Sequence, residues 1–299
     1  MTFQSKIFLL CQDSQLYTNL RLQNEFEQLA FDVQMVAKSE LRLGPQDVFP
    51  LSQCSAGMIR SSGVDWDDID LDASEAFYDA GGSVYNSPFL LRLLRDKTQQ
   101  WNLLSRLDLS PIPSFQCRGL PTQNFMGLLR AAGTAHSSRS CSFVVKPNRG
   151  QGGRGICFFE TEKSLKMFLE SRYWMKDQKF LIQPLLSVRK EYRVFLLNGE
   201  VLSVLQRQPG PGDFRANFSQ GGQGQIVSQV PSSLQRFVRP CQSLKGFFFG
   251  TIEIIETNSG HFYCVEVNGM PGIQELELLT QKNMASKIVK GLVTAFSLK

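Results

Sequence analysis

Residues 144–156 read Val-Val-Lys-Pro-Asn-Arg-Gly-Gln-Gly-Gly-Arg-Gly-Ile, with four glycines (Gly150, Gly152, Gly153 and Gly155) in six positions and Lys146 just ahead of them. Glycine lets backbone N–H groups close on a phosphate and adopts positive φ. Lys146, Arg149 and Arg154 add cations. With β-rich residues on both sides, the segment fits either a flexible hairpin loop or a mobile flap over a triphosphate. It is not a P-loop, because no Gly-Lys-Ser/Thr follows, and not a dinucleotide fingerprint, because a strand comes next where a helix is required. A second run is Glu266-Val267-Asn268. On a strand Glu266 and Asn268 point the same way, and Glu253, on the expected partner strand, can face them across the ladder. Carboxylate and amide oxygens beside phosphates suit Mg²⁺; in isolation they would make a solvated strand face. Gly269-Met270-Pro271-Gly272 then forms a tight turn. A third run, residues 210–222, is polar and glycine-rich. Its Arg215 and Asn217 could hold an anion and a metal-bridged phosphate, or belong to an ordinary surface loop.

Other chemistries find less support. The only histidines are His136, in a polar run, and His261, after the turn Asn258-Ser259-Gly260. A His-rich metal site is thereby excluded, and both histidines read as structural or solvated. The seven cysteines (11, 54, 117, 141, 157, 241 and 264) are odd in number, scattered, and form no Cys-x-x-Cys. A disulfide framework or thiolate zinc site is therefore not expected, and reduced thiols in a cytoplasm are. The net charge of +5 favours anionic ligands slightly and falls short of a nucleic-acid signature. No apolar run reaches the roughly 18 residues of a membrane span, and Lys6–Cys11 reads as a first strand, not a signal peptide.

These residues need a scaffold. A length of 299 residues with 42% hydrophobic residues suggests about two domains of ordinary globular composition. Strands are expected at 6–11, 32–37, 56–60 and 83–85, and helices at 19–30 and 72–80. This alternation predicts a parallel sheet with ligands at the carboxyl ends of its strands, where Arg60 stands. A helix from 88 to about 106 follows. Strands are expected at 142–146, 156–160 and 179–183, with a helix from 161 to about 170. Asn198-Gly199 between two alternating runs is a strong hairpin signal, a second hairpin turns at 258–260, and a helix over 275–296 closes the chain.

The order of these pieces, a lysine before a glycine loop, an Asn-Gly hairpin, Asp213-Phe214-Arg215-Ala216-Asn217 with Gly221-Gly222, then Glu266-Val267-Asn268 with Pro271-Gly272, resembles the ATP-grasp superfamily, and within it the RimK-like α-L-glutamate ligases. The resemblance covers residues 60–299, and the N-terminal part by topology. It implies an α/β fold: an N-terminal parallel-sheet pre-ATP-grasp domain (residues 1–94), a central ATP-grasp subdomain with the glycine loop (95–186) and a C-terminal subdomain with the metal-binding hairpin (187–299). It implies ATP-dependent joining of a carboxylate, with glutamate the expected one, to an amine through an acyl phosphate. Lys146 and Arg215 would be catalytic. Lys97, Lys146, Gly150, Gly152, Gly153, Arg215 and Asn217 would contact the phosphates and nucleotide. Gln183, Pro184, Leu185 and Leu186 would hold the adenine, and Glu191 the ribose. Glu253, Glu266 and Asn268 would bind Mg²⁺, with Mn²⁺ as an alternative and Glu256 as a rival to Glu253. Arg60, Arg193 and Arg207 would lie near the carboxylate substrate. The hinge has Pro184 where these ligases usually carry Glu, and proline has no N–H to donate to adenine. The expected partners are an amino-acid donor and an amine acceptor, with no specific nucleic acid, no membrane, and a homo-oligomer left open. An ATP-grasp ligase with unrelated substrates and a non-catalytic nucleotide-binding module are the alternatives.

Overall fold

The computed structural model describes residues 5–44, 48–61, 67–117, 127, 142–150, 155–171, 179–208 and 223–295. Gly152, Gly153, Arg215, Asn217 and His136 lie outside them.

The first sheet is parallel, in the order β2-β1-β5-β6, built from β1 (Lys6–Cys11), β2 (Asp32–Ala37), β5 (Ala56–Arg60) and β6 (Ser83–Tyr85). A small hairpin, β3 (Arg42–Leu43) with β4 (Val48–Phe49), lies between β2 and β5. Parallel sheets covered on both faces read as continuous apolar runs, and Phe8, Leu9 and Leu10 are all fully buried. Alternation sends Ile7 and Leu9 to one side, where they join Leu22 and Phe26 of α1 (Tyr17–Gln28), and Phe8 and Leu10 to the other, against Leu71 and Phe77 of α2 (Ile69–Asp79).

The single helix expected over 88–106 is two: α3 (Pro88–Arg95) and α4 (Lys97–Arg106). Asp96 breaks it because its extended backbone lets the carboxylate cap α4, accepting from Thr98 N and Gln99 N, each at 3.0 Å.

The second sheet is antiparallel, β7-β10-β8-β9, from β7 (Phe115–Cys117), β8 (Phe143–Pro147), β9 (Cys157–Phe159) and β10 (Phe180–Pro184). Phe143, Val145 and Ile182 pack on Leu165 and Leu169 of α5 (Glu162–Ser171). The alternate residues Val144, Lys146, Leu181 and Gln183 therefore share the opposite face.

The third sheet is antiparallel and five-stranded, β13-β12-β11-β14-β15: β11 (Val188–Leu197), β12 (Glu200–Gln208), β13 (Gln223–Ile226), β14 (Phe249–Thr257) and β15 (Phe262–Asn268). Asn198 and Gly199 turn the first hairpin with φ of 49° and 78°, as that dipeptide requires. Tyr192, Val194, Val204, Ile252 and Ile254 pack with Leu94 and Leu104 and with α6 (Ser232–Gln242), whose Leu234, Val238 and Cys241 follow a helical apolar spacing not included among the expected helices.

The expected closing helix is also two, α7 (Gln274–Thr280) and α8 (Met284–Ala295), because Gln281 adopts a left-handed conformation (φ 53°) that ends α7. Ile288 and Leu292 of α8 share a core with Ile7 and Leu22 of the first sheet and with Phe195, Leu205 and Phe249 of the third. Among the described residues no helix is long and apolar enough to cross a membrane.

Candidate active site

Register assembles the site. Glu191 and Arg193 point from one face of β11, Arg207 from β12, Glu253 from β14, and Glu266 with Asn268 from β15. Arg193 stands opposite Glu253, Glu253 opposite Glu266, and Glu191 opposite Arg207. The expected facing of Glu253 and Glu266 is thus present in the ladder. Glu256 is three residues from Glu253, and odd spacing sends it to the other face. There it accepts hydrogen bonds from Arg189 and from the Tyr192 hydroxyl, the latter at 3.2 Å. It is not placed to rival Glu253.

The charges on this face are interlocked. Arg193 Nε lies 3.2 Å from Glu253 Oε1, Arg207 Nη1 lies 3.8 Å from Glu253 Oε2, and Arg207 Nη2 donates to Glu275 Oε2. Burial raises the Glu253 pKa, with Arg193 and Arg207 opposing. Glu191 is pushed up to about 7, first by burial and then by Glu253. Glu253 Oε2 is buried and accepts no hydrogen bond.

Two lysines face this wall. Lys146 projects from β8 into the cleft, and burial pushes its pKa down to about 8, with Glu266 drawing it back and Lys97 adding to the drop. Lys97, the first residue of α4, donates to the Gly150 carbonyl at 2.8 Å. Its pKa is also lowered by burial, against the pull of Glu266 and Asp96. No carboxylate among the described residues forms an ion pair with either lysine within 4.0 Å. One recess holds Lys97, Trp101, Lys146, Leu181, Gln183 and Glu266; its neighbour holds Arg95, Lys97, Gly150, Glu266 and Asn268.

The root of the glycine segment is anchored. Asn148, 2% exposed, gives Nδ2 to Asp96 at 2.7 Å and accepts the Thr98 hydroxyl at 2.8 Å, while Arg149 bonds Asp68 at 2.7 Å. Gly150 follows with φ of 149°. At the hinge, Gln183 donates to the Ser114 hydroxyl at 2.6 Å and Leu186 is buried with Ile112 and Ile255. The Leu185 N–H donates to Ser142 O at 2.8 Å, and Pro184 has none. Neither can therefore supply an adenine donor in this state.

Arg60, 8% exposed at the end of β5, gives Nε to Asn19 at 3.2 Å and Nη2 to the Pro271 carbonyl at 3.0 Å, while Nη1 is buried without a partner. Burial pushes its pKa down to about 10. Arg60 and Arg207 thus hold the two ends of the Pro271–Glu275 segment. Of the three arginines expected near the carboxylate substrate, two are engaged by carboxylates of the chain itself. Arg193 is paired with Glu253, and Arg207 with Glu253 and Glu275, because an arginine withdrawn from water in this sheet needs a carboxylate. Glu275, Asp96 and Asn148 were not among the expected site residues.

The donor set fits a hard cation: two facing carboxylates, an amide, and an orphaned buried oxygen on Glu253. No group of three or more His, Cys, Asp or Glu converges among the described residues, so a cation here would complete its shell with other oxygens, as it does beside phosphates.

A RimK-like ATP-grasp domain model matches residues 130–292. The chain is similar to a probable alpha-L-glutamate ligase of Picosynechococcus sp., 26% identical across 96% of this chain and 95% of the relative. It is also similar to a probable alpha-L-glutamate ligase 2 of Shewanella frigidimarina, 25% identical across 95% of each. Among solved structures, the RimK domain ATP-grasp protein of Sphaerobacter thermophilus superposes with a TM-score of 0.74 at 16% identity, over 96% of this chain and 98% of that one. The D-alanyl-alanine synthetase A of Vibrio cholerae gives 0.72 at 16% identity, over 99% and 98%. At such identities these structures share the fold.

Proposed function

The chain belongs to the RimK-like ATP-grasp family, and from that membership we propose that it is an ATP-dependent carboxylate–amine ligase acting through an acyl phosphate, with ATP and Mg²⁺ (Mn²⁺ also accepted) as cofactors and glutamate as the carboxylate donor. The observation that carries the reading is the cleft itself: Lys146 and Lys97 on one side, Glu253, Glu266 and Asn268 on the other. A carboxylate is a poor electrophile until its oxygen becomes a good leaving group. Transfer of the γ-phosphoryl group supplies one, an amine then attacks the acyl carbon, and phosphate departs as the amide forms. Such transfer depends on positioning and charge neutralisation rather than on a protein nucleophile. Lys146 and Lys97 neutralise phosphate oxygens, and Asn148 and Gly150 form an anchored root beside them. Glu253, Glu266 and Asn268 would hold Mg²⁺, which when bound withdraws charge from the phosphates. Arg215 and Asn217 join from outside the described residues as nucleotide contacts, Gly152 and Gly153 as phosphate contacts. The buried Nη1 of Arg60 suits a substrate carboxylate.

A second reading, ligation of a carboxylate other than glutamate, gains from the pairing of Arg193 and Arg207 with Glu253 and Glu275. That pairing leaves less free positive charge for a dicarboxylate. The test is nucleotide chromatography after incubation with Mg²⁺, a panel of amino acids and an amine-containing extract. ADP with phosphate is the expected product, fastest with glutamate. AMP with pyrophosphate would exclude the acyl-phosphate route, and preference for a neutral donor would select the second reading.

A further inference from the structure

β15 carries Glu266 and Asn268 at the edge of its sheet. Edge strands leave every other N–H and C=O without a ladder partner, and a buried backbone group needs one. The ladder beside Glu266 is also irregular. Glu253 pairs with Glu266 but Ile254 pairs with Cys264, so Val265 is an extra, bulged residue next to the carboxylate. Bulges re-aim side chains and weaken local pairing, so β14 alone constrains Glu266 loosely.

The missing constraint comes from helix α4. Gln100, 4% exposed, accepts from Val267 N at 2.9 Å and donates to Val267 O at 3.0 Å and Leu94 O at 2.9 Å. A single side-chain amide thus does for Val267 what a neighbouring strand would do. Val267 stands between Glu266 and Asn268, so fixing its peptide groups fixes the origin of both side chains. Gln100 also lies one helical turn after Lys97, which reaches the glycine segment at Gly150 O. On the far flank of Asn268, the buried Asn86 amide holds Gly269 O at 2.6 Å.

We propose that Gln100 is a positioning residue that locks Glu266 and Asn268 to α4 and thereby sets their spacing to Lys97. This rests on the reading of the cleft as a nucleotide–metal site. Gln100 touches no substrate; it acts through the backbone of β15.

The experiment compares wild type, Gln100→Met and Glu266→Gln. Met keeps the volume and removes both bonds to Val267 together with the one to Leu94. Mn²⁺ is titrated into each protein with ADP present and followed by electron paramagnetic resonance, and the Mg²⁺ half-saturation and ATP KM of turnover are measured alongside. Loss of such an outer partner typically weakens metal affinity about tenfold or more, and Gln100→Met is expected to weaken Mn²⁺ binding and raise the Mg²⁺ half-saturation by that factor. The ATP KM should change less than about twofold, a split that a general loss of stability would not produce. Metal binding unchanged in folded Gln100→Met, with Glu266→Gln impaired, overturns the role of Gln100 alone. Metal binding unchanged in Glu266→Gln overturns the site reading itself. If Gln100→Met fails to fold, Gln100→Asn, whose amide falls one methylene short of Val267, is read the same way: weakened metal binding supports the proposal and wild-type binding overturns it.

Discussion

The two walls of the cleft handle charge differently. The wall from the four-stranded antiparallel sheet places one cation, Lys146, among Val144, Leu181 and Gln183. The facing wall, from the five-stranded sheet, alternates Glu191, Arg193, Arg207, Glu253 and Glu266 in register, and Arg207 is wedged between Glu253 and Glu275. Neutralised charges of this kind stabilise the fold only as a set, since removing one member strands the others in a poorly solvated site. The lone lysine is a cost to the fold at neutral pH and is of use only once a polyanion arrives. One wall is therefore compensated before ligand binds, the other by it.

The sharpest way to break this contrast is Arg207→Met, expected to destabilise by about 3–5 kcal/mol because two carboxylates lose their buried partner. Urea unfolding measures it, and a loss under about 1 kcal/mol would mean the charged wall is not interlocked. Lys146→Met should do the reverse. It should keep or raise the unfolding midpoint at pH 7 while cutting turnover by roughly 10²–10³-fold, the scale of one lost transition-state charge contact; near-normal turnover would remove Lys146 from the reaction. Glu256→Gln, on the opposite face, should cost only about 1 kcal/mol through its Arg189 and Tyr192 bonds. It should leave the Mg²⁺ half-saturation as it is; a raised value would make Glu256 a ligand after all.

The smallest effects are in pH. Lys146, near 8 in the folded chain against 10.5 as its ordinary value, binds fewer protons folded than unfolded between those limits. Stability should therefore rise with pH across about 8 to 10.5, and Lys146→Met should abolish that rise. Glu191, near 7 against 4.5, keeps its proton longer when folded. Stability should fall with pH across about 4.5 to 7, and Glu191→Gln should remove the fall. Melting temperatures recorded across both windows check the signs, and slopes unchanged by the substitutions would show that neither group titrates in the cleft as described.

Much of the site follows from rules local in the chain. A period of two places Glu266 with Asn268, and the same parity, applied to Glu253 and Glu256, separates the ligand candidate from its rival. Asn198-Gly199 announces its hairpin because few other dipeptides accept positive φ twice. Where the 88–106 helix breaks, the local cap has a distant partner as well. The break at Asp96 is stabilised by Asn148, which bonds both Asp96 and Thr98 from 50 or more residues away. A helical period cannot reveal that.

What the sequence by itself determined is which residues share a face and which dipeptides turn, since backbone geometry dictates side-chain direction over a few residues whatever the surroundings. What only the tertiary structure decided is which charges are already spent and which strands are held. Arg207 finds Glu275 across 68 positions, and Gln100 finds Val267 across 167. Such pairs form because burial withdraws their groups from water and each must be satisfied by whatever the folded chain brings alongside, and that neighbour is set by the packing of the sheets, not by the spacing of the letters.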